Sequence, residues 1–434
     1  MKLKYTIITL MGLLPILGLA QVQSVQQKLE QTAVDFLKIY NTGDSALYRS
    51  FLQKNTGSDK LVDKLRRFEN TWKSIGTVKI GEIRIKGNTR VDVAVQEQKY
   101  GGWWRFSVET DSNQHFLNRT VVPIQMPEVG IKDGALNHQE ISKAIDDFLD
   151  RKLKGDFSGN VFVSENRKVF YSRSVGKSAD GVQNTPTTQF GLASSGKLFT
   201  AISIFQLKEK GLLTLEDKVS RFFPNLKNPI FERISVGQLL NHSSGLGDFF
   251  EDPSYKEGLT DMDDPHTVEL YLEKSNTAFQ PGTDFRYSNT GFLLLGLIIE
   301  KCVGSTFREY IVANVFDKAG MKSSLAGNGA GGGKSNVADL VLFFAALQDG
   351  VLLGRAATER LLQYKFAENY GYGSEHHLLG KEHIFGHSGG FINECVELNL
   401  YQNTGRLVII LSNSNPPFGH FLANKIKELL IRKE

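Results

Sequence analysis

The sequence predicts an α+β protein in two parts. A small α+β unit spans residues 21–131. A larger domain spans 132–434, with one antiparallel sheet flanked by helices and an added helical region. Three observations carry this reading. Helical spacing gives way once to strand-like alternation before residue 131. After residue 132 strands sit near both ends of the segment, while helices dominate from Ser194 to about Leu362. The chain has 434 residues, and at roughly 150 residues per domain that is room for two or three.

Residues 1–20, MKLKYTIITLMGLLPILGLA, read as an export signal. Lys2 and Lys4 form a positive start, Ile7 to Leu17 is an apolar stretch too short to span a bilayer, and Gly18 and Ala20 suit a cut before Gln21. The expected location is therefore the periplasm or the exterior, with no membrane span once the signal is removed. The other apolar run, Phe292 to Ile299, is a buried helix or strand.

In the first unit Leu29, Ala33, Phe36 and Tyr40 recur at helical spacing, and Asn41-Thr42-Gly43-Asp44 stops that helix. More helix runs to about Ser74. Val91, Val93 and Val95 then form one strand face, and Trp104, Phe106 and Val108 another, with turns at Gly87-Asn88 and Gly101-Gly102. This order of elements resembles the nuclear-transport-factor-like or cystatin-like cone. Pro123 and Pro127 mark a linker. The second part opens with a helix (141–153) and a strand-turn-strand (159–174). Strands return at 386–412 around an Asn403-Thr404-Gly405 hairpin, and a helix from about His420 ends the chain.

Composition removes several classes of function. With 41 % apolar and 23 % charged residues, the chain is neither disordered nor a coiled-coil rod. The formal charge of +4 falls to +2 without Lys2 and Lys4, which gives no reason to expect nucleic acid as a partner. Cys302 and Cys395 are too few for a disulfide scaffold or a CxxC-based zinc site, and HExxH is absent. No metal and no cofactor are expected, and both cysteines read as free buried thiols.

Ser-x-x-Lys occurs twice, at Ser174–Lys177 and at Ser194–Lys197. Ser174 ends a strand and runs into a turn. Ser194 opens an apolar helix, where residues three apart share a face, so Lys197 points toward Ser194. A helix N-terminus favours an alkoxide and a neutral lysine, and such a lysine can take the serine proton. The plainer reading of Ser194 is an N-cap. Tyr-x-Asn also occurs twice. Tyr401–Asn403 is a hairpin, whereas Tyr287-Ser288-Asn289 lies in a loop feeding the apolar run. A tyrosine phenolate beside a lysine can relay protons, and an asparagine can hold a substrate amide. In His387-Ser388-Gly389-Gly390 the glycines let a backbone N–H approach a ligand closely. The same stretch satisfies GxSxG, but that elbow needs a helix after it, and a strand follows. Gly331-Gly332-Gly333-Lys334-Ser335 imitates a phosphate loop without its first glycine.

The order SxxK, YxN, HxG, spaced about 90 and 100 residues apart, resembles the serine β-lactamase and penicillin-binding-protein superfamily, in its class C β-lactamase and D-Ala-D-Ala carboxypeptidase branch. Phe190 to Ala201, Gly211 to Asp217, Leu239 to Leu246 and Gly331 to Leu340 are similar to segments of that family. The resemblance covers about residues 135–434. It implies a β-lactamase/transpeptidase-like fold with Ser194 as nucleophile. Lys197 and Tyr287 would move its proton, and Asn289 would orient the substrate amide. The N–H groups of Ser194 and Gly390 would form an oxyanion hole, with Ser388 and Gly389 beside it. His387 stands where the family has the lysine of K-T-G, so a carboxylate partner would meet a histidine charged only in part at pH 7. The function implied is an exported serine hydrolase acting through an acyl-enzyme on a small peptide, amide or ester, including D-amino-acid peptides of the peptidoglycan type. A carboxylesterase or β-lactamase on the same fold is the alternative, and a non-catalytic binding module is a third reading.

Overall fold

A computed structural model of the chain describes residues 14–55, 61–111, 115–124, 126–178, 180–252, 255, 264–367 and 369–433. They divide into two compact units: one of residues up to Ala135 together with Asn424–Glu434, the other Leu136–Ala423. The second unit ends at Ala423, short of the expected residue 434. The amphipathic helix Phe418–Leu430 crosses that boundary, so its end and the final residues are counted with the first unit. Lys2 and Lys4 lie outside the described residues, and the chain is helical from Leu14.

In the first unit, helices Leu14–Thr42, Ser45–Asn55 and Leu61–Ile75 precede four antiparallel strands in sequential order. These are β1 (Val78–Lys86), β2 (Arg90–Glu97), β3 (Trp103–Thr110) and β4 (Phe116–Ile124). The register sets Val91 opposite Val108, Val93 opposite Phe106 and Val95 opposite Trp104. One apolar face therefore meets Leu29, Ala33, Phe36 and Tyr40 of the first helix. Aromatic rings fill the core: Tyr48 stacks on Phe68 at 4.3 Å, and Tyr40 meets Phe106 edge-on at 5.0 Å. Pro123 is not in a linker. It pairs with Trp104 in β4, an edge strand, where a missing N–H is tolerated. A short strand β5 (Lys132–Asp133) pairs in parallel with Arg432–Lys433, and Lys132 forms an ion pair with Glu428.

The second unit is built on a six-stranded antiparallel sheet. Its strands are β6 (Gly159–Glu165), β7 (Lys168–Val175), β11 (Glu375–Leu379), β12 (Glu382–Phe391), β13 (Glu394–Tyr401) and β14 (Arg406–Ser412), in the order β11-β12-β13-β14-β6-β7. Strands from both ends of the segment thus meet where β14 pairs with β6. A second, small sheet joins β8 (Phe190–Gly191), β10 (Gly331–Ser335) and β9 (Leu325–Asn328). The strand region begins at Glu375 rather than Gly386, and His387 to Gly390 lie inside β12 rather than before a strand. The helix Lys197–Glu209 is buried over its first eleven residues, and Phe292 to Ile299 fall in the buried helix Asn289–Val303. Among the described residues no single helix is long and apolar enough to cross a membrane.

Candidate active site

Ser194 sits in a 3-10 turn, Ala193–Gly196, directly before the helix Lys197–Glu209. Neither element takes a side-chain cap from it, so the N-cap reading fails. Ala193 has a positive φ of 43°, a conformation that costs a non-glycine residue ~1–3 kcal/mol and persists where the surroundings enforce it. The surroundings here are two strands. The Leu192 N–H donates to the Gly333 carbonyl of β10 (3.1 Å), and the Ser195 hydroxyl donates to the His387 carbonyl of β12 (3.2 Å). A Cβ on Gly389 would come within 2.6 Å of the Leu192 carbonyl, and one on Gly331 within 2.4 Å of that of Ala193. Only glycine permits such close approach. This explains Gly331-Gly332-Gly333-Lys334-Ser335 as a strand packed on the nucleophile turn, not a phosphate loop.

The Lys197 side chain is fully buried, with its Nζ 3.3 Å from Ser194 Oγ and 2.7 Å from Asn289 Oδ1. It also donates to the Ala330 carbonyl. Burial lowers its pKa from the ordinary lysine value to about 7, against the opposing pull of Asp248 and Glu375. A large share of this lysine is therefore neutral near pH 7. The Tyr287 hydroxyl is a neighbour of Ser194, and its ring lies 4.9 Å from Lys197 Nζ. Burial pushes the Tyr287 pKa well above that of a free phenol, so it is a neutral hydroxyl and not the expected phenolate. Asn289 has both ends of its amide engaged: its Nδ2 donates to Asp248 Oδ2 at 2.8 Å, and its backbone N–H reaches the same oxygen at 2.9 Å.

These groups open onto a cavity of about 660 Å³, within the usual range for small-molecule sites. Ser194, Tyr287, Asn289 and Gly390 line it, together with Phe249, Phe250, Tyr255, Phe391 and Glu394. Four of the proposed site residues thus reach the cavity and Lys197 lies directly behind Ser194.

His387, Ser388 and Gly389 do not line it. The His387 ring is 1 % exposed. Its Nε2 meets the Tyr370 hydroxyl at 2.9 Å and its Nδ1 the Ser388 carbonyl at 2.5 Å. Burial lowers its pKa. The expectation of an imidazolium reaching a substrate carboxylate is corrected accordingly. Alternation along β12 turns His387 and Gly389 to the side opposite Ser388 and Gly390. Ser388 donates its hydroxyl to Glu375 at 2.6 Å, which also disposes of the nucleophile elbow. Tyr370 does not line the cavity either, being buried against His387.

Three groups escaped the sequence reading. Asp248 had no motif to mark it. Glu394 follows the HxG stretch at a hairpin whose geometry was not legible. His242, inside the segment Leu239 to Leu246, accepts the Ser288 N–H on Nδ1 (3.1 Å), and its ring packs 4.2 Å from that of Tyr287. Both cysteines are free, with Cys395 buried and Cys302 partly exposed.

Residues 142–328 match the family model described as Beta-lactamase. Penicillin-binding protein 4* of Bacillus subtilis is 34 % identical over 179 residues, covering 39 % of this chain and 38 % of that protein. The chain thus spans well under half the length of this curated relative. The crystal structure of a penicillin-binding protein from Bacillus halodurans is similar with a TM-score of 0.56 and 25 % identity, covering 68 % of this chain and 100 % of that one. A D-amino acid amidase from Ochrobactrum anthropi, solved with L-phenylalanine amide, shares the fold with a TM-score of 0.58 and 20 % identity, over 67 % of this chain and 98 % of that one. Motif order, the Ser194–Lys197–Tyr287 geometry and these matches agree: the second unit has the β-lactamase/transpeptidase-like fold, and residues 142–328 carry its similarity to the serine hydrolases of that superfamily.

Proposed function

We propose that this protein is an exported serine hydrolase that cleaves small amides, esters or peptides, D-amino-acid peptides among them, through an acyl-enzyme. The observation that carries the reading is a buried lysine, near neutrality in charge, 3.3 Å from a serine hydroxyl at the wall of a cavity. In the first half-reaction Ser194 Oγ attacks the substrate carbonyl carbon and its proton passes to Lys197. The N–H groups of Ser194 and Gly390 take up the charge on the carbonyl oxygen. The C–N or C–O bond then breaks, and the leaving group departs with the proton, delivered from Lys197 by way of the Tyr287 hydroxyl. Water then repeats the sequence on the acyl-enzyme, releasing the acid and restoring the serine hydroxyl. Asp248 holds Asn289, which in turn holds Lys197.

The burial of His387 favours substrates with a neutral leaving group over carboxypeptidase or β-lactam substrates, whose carboxylate needs a cation. This brings the esterase and amidase reading forward. Export rests on Lys2, Lys4 and the apolar stretch after them, and N-terminal sequencing of the secreted protein tests it: a chain starting at Gln21 is expected. For the activity, labelling by a fluorophosphonate is followed by assays on short-chain esters, amino-acid amides, D-Ala-D-Ala peptides and a chromogenic cephalosporin. Labelling at Ser194 with turnover of esters or amides supports the reading. A protein that neither labels nor turns over any of these substrates overturns it.

A further inference from the structure

The charge of the cavity wall bears on which acyl group it accepts. Among the described lining residues none is lysine, arginine or histidine, and a single side chain, Glu394, carries a formal charge. Asp248 and Glu375 stand behind the lining, engaged with Asn289 and Ser388. Glu394 opens β13 and pairs with Phe391, just past Gly390 along the hairpin. Its carboxylate faces the backbone N–H of Ala193, the residue before Ser194. It occupies the space over Gly191, where a Cβ would come within 1.9 Å of Oε1. The carboxylate thus sits against the backbone of the Ser194 turn, with acceptor capacity left over. It is half-buried, and burial raises its pKa above the ordinary carboxylate value, against the opposing pull of the Ala193 N–H and of the exposed Lys334. Around it, Phe249, Phe250, Tyr255 and Phe391 supply an apolar wall.

We propose that Glu394 binds the free ammonium group of the acyl part of the substrate. The preferred substrates are then amides, esters or peptides whose acyl part is an apolar amino acid with an unblocked amino group. This rests on the serine hydrolase reading and narrows it. An ammonium at this wall is stabilised by a carboxylate through a charge-assisted hydrogen bond, which a blocked amine or a plain acyl chain lacks. The apolar wall covers the side chain of that amino acid.

The test compares kcat/KM for the p-nitroanilides of D- and L-phenylalanine, their N-acetyl forms and 3-phenylpropionic acid. It uses the full chain and the Glu394→Gln and Glu394→Lys variants. Fluorophosphonate labelling of Ser194 in each protein reports an intact site. The wild type is expected to prefer the free-ammonium substrate of one enantiomer over its N-acetyl form by about ten-fold or more, the range of one charge-assisted hydrogen bond. That ratio should fall about ten-fold in Glu394→Gln and further in Glu394→Lys. The wild-type ratio needs no variant, so a misfolded mutant does not decide the matter. A wild-type ratio at or below one overturns the role of Glu394, as does an unchanged ratio in a Glu394→Gln protein that still labels. Absence of labelling together with no turnover of any substrate removes the serine hydrolase reading itself, and the Glu394 role with it.

Discussion

Ser174–Lys177 and Ser194–Lys197 carry the same four-residue pattern in two environments. Ser174 pairs with Asn160 near the end of β7, and Lys177 is exposed beyond a turn at Gly176, which has a φ of 74°. Its carbonyl, not its ammonium, is the group in use, accepting from Ser158 and Asn413. Ser194 is held in a 3-10 turn directly before a helix, and its lysine is fully buried among Ala330, Asn289 and the ring of Tyr287. The difference shows what the motif needs beyond its letters. Helical geometry brings the lysine to the serine, and burial takes away the water that would keep it charged.

Exchange of each member of the two pairs should break this symmetry. Ser194→Ala is expected to abolish labelling and to lower kcat at least ~10⁴-fold, while Ser174→Ala, a half-buried position on β7 away from the cavity, leaves kcat within about two-fold. Turnover of a short-chain ester reads both, and the reverse outcome would sink the assignment. Lys197→Met should cost ~10²–10⁴-fold in kcat, the range of a general base. Lys177→Met, measured alongside, should cost nothing detectable.

The buried side of the comparison extends to His387. His387→Ala leaves the Tyr370 hydroxyl without its partner, an expected loss of ~1–3 kcal/mol in unfolding free energy. Carboxylate-ended and neutral substrates should suffer alike. A loss confined to the carboxylate-ended substrate would return His387 to the cavity. The smallest effect concerns pH. With the Lys197 pKa lowered to about 7, its neutral form grows as pH rises, so kcat/KM should climb through about pH 7 and level off above. Asp248 holds that pKa up. Asp248→Asn should therefore move the inflection to lower pH, by up to ~1 unit. An inflection that moves up, or stays put while activity is retained, would separate the profile from Lys197.

By itself the sequence determined the α+β class and the sheet built from both ends of the second segment, and it put Ser194 rather than Ser174 directly before a buried helix. These follow from local signals. Leu198, Phe199, Ile202 and Phe205 mark a helix after Ser194, and the period-two runs around Val91 and Phe106 mark strands. Asn289 and Gly390 entered only through the family resemblance that the order of the three motifs carries. Tertiary structure alone decided the rest. Pro123 became an edge-strand residue because β3 had no other neighbour on that side. His387 turned inward because strand parity and the Tyr370 hydroxyl, seventeen residues away in sequence, fix its ring. Asp248 and Glu394 joined the site across the fold, one bonded to Asn289 and the other filling the space over Gly191. A motif records which residues are near in sequence. Burial, charge state and the direction a side chain faces depend on segments far along the chain, and those appear only when the chain has packed.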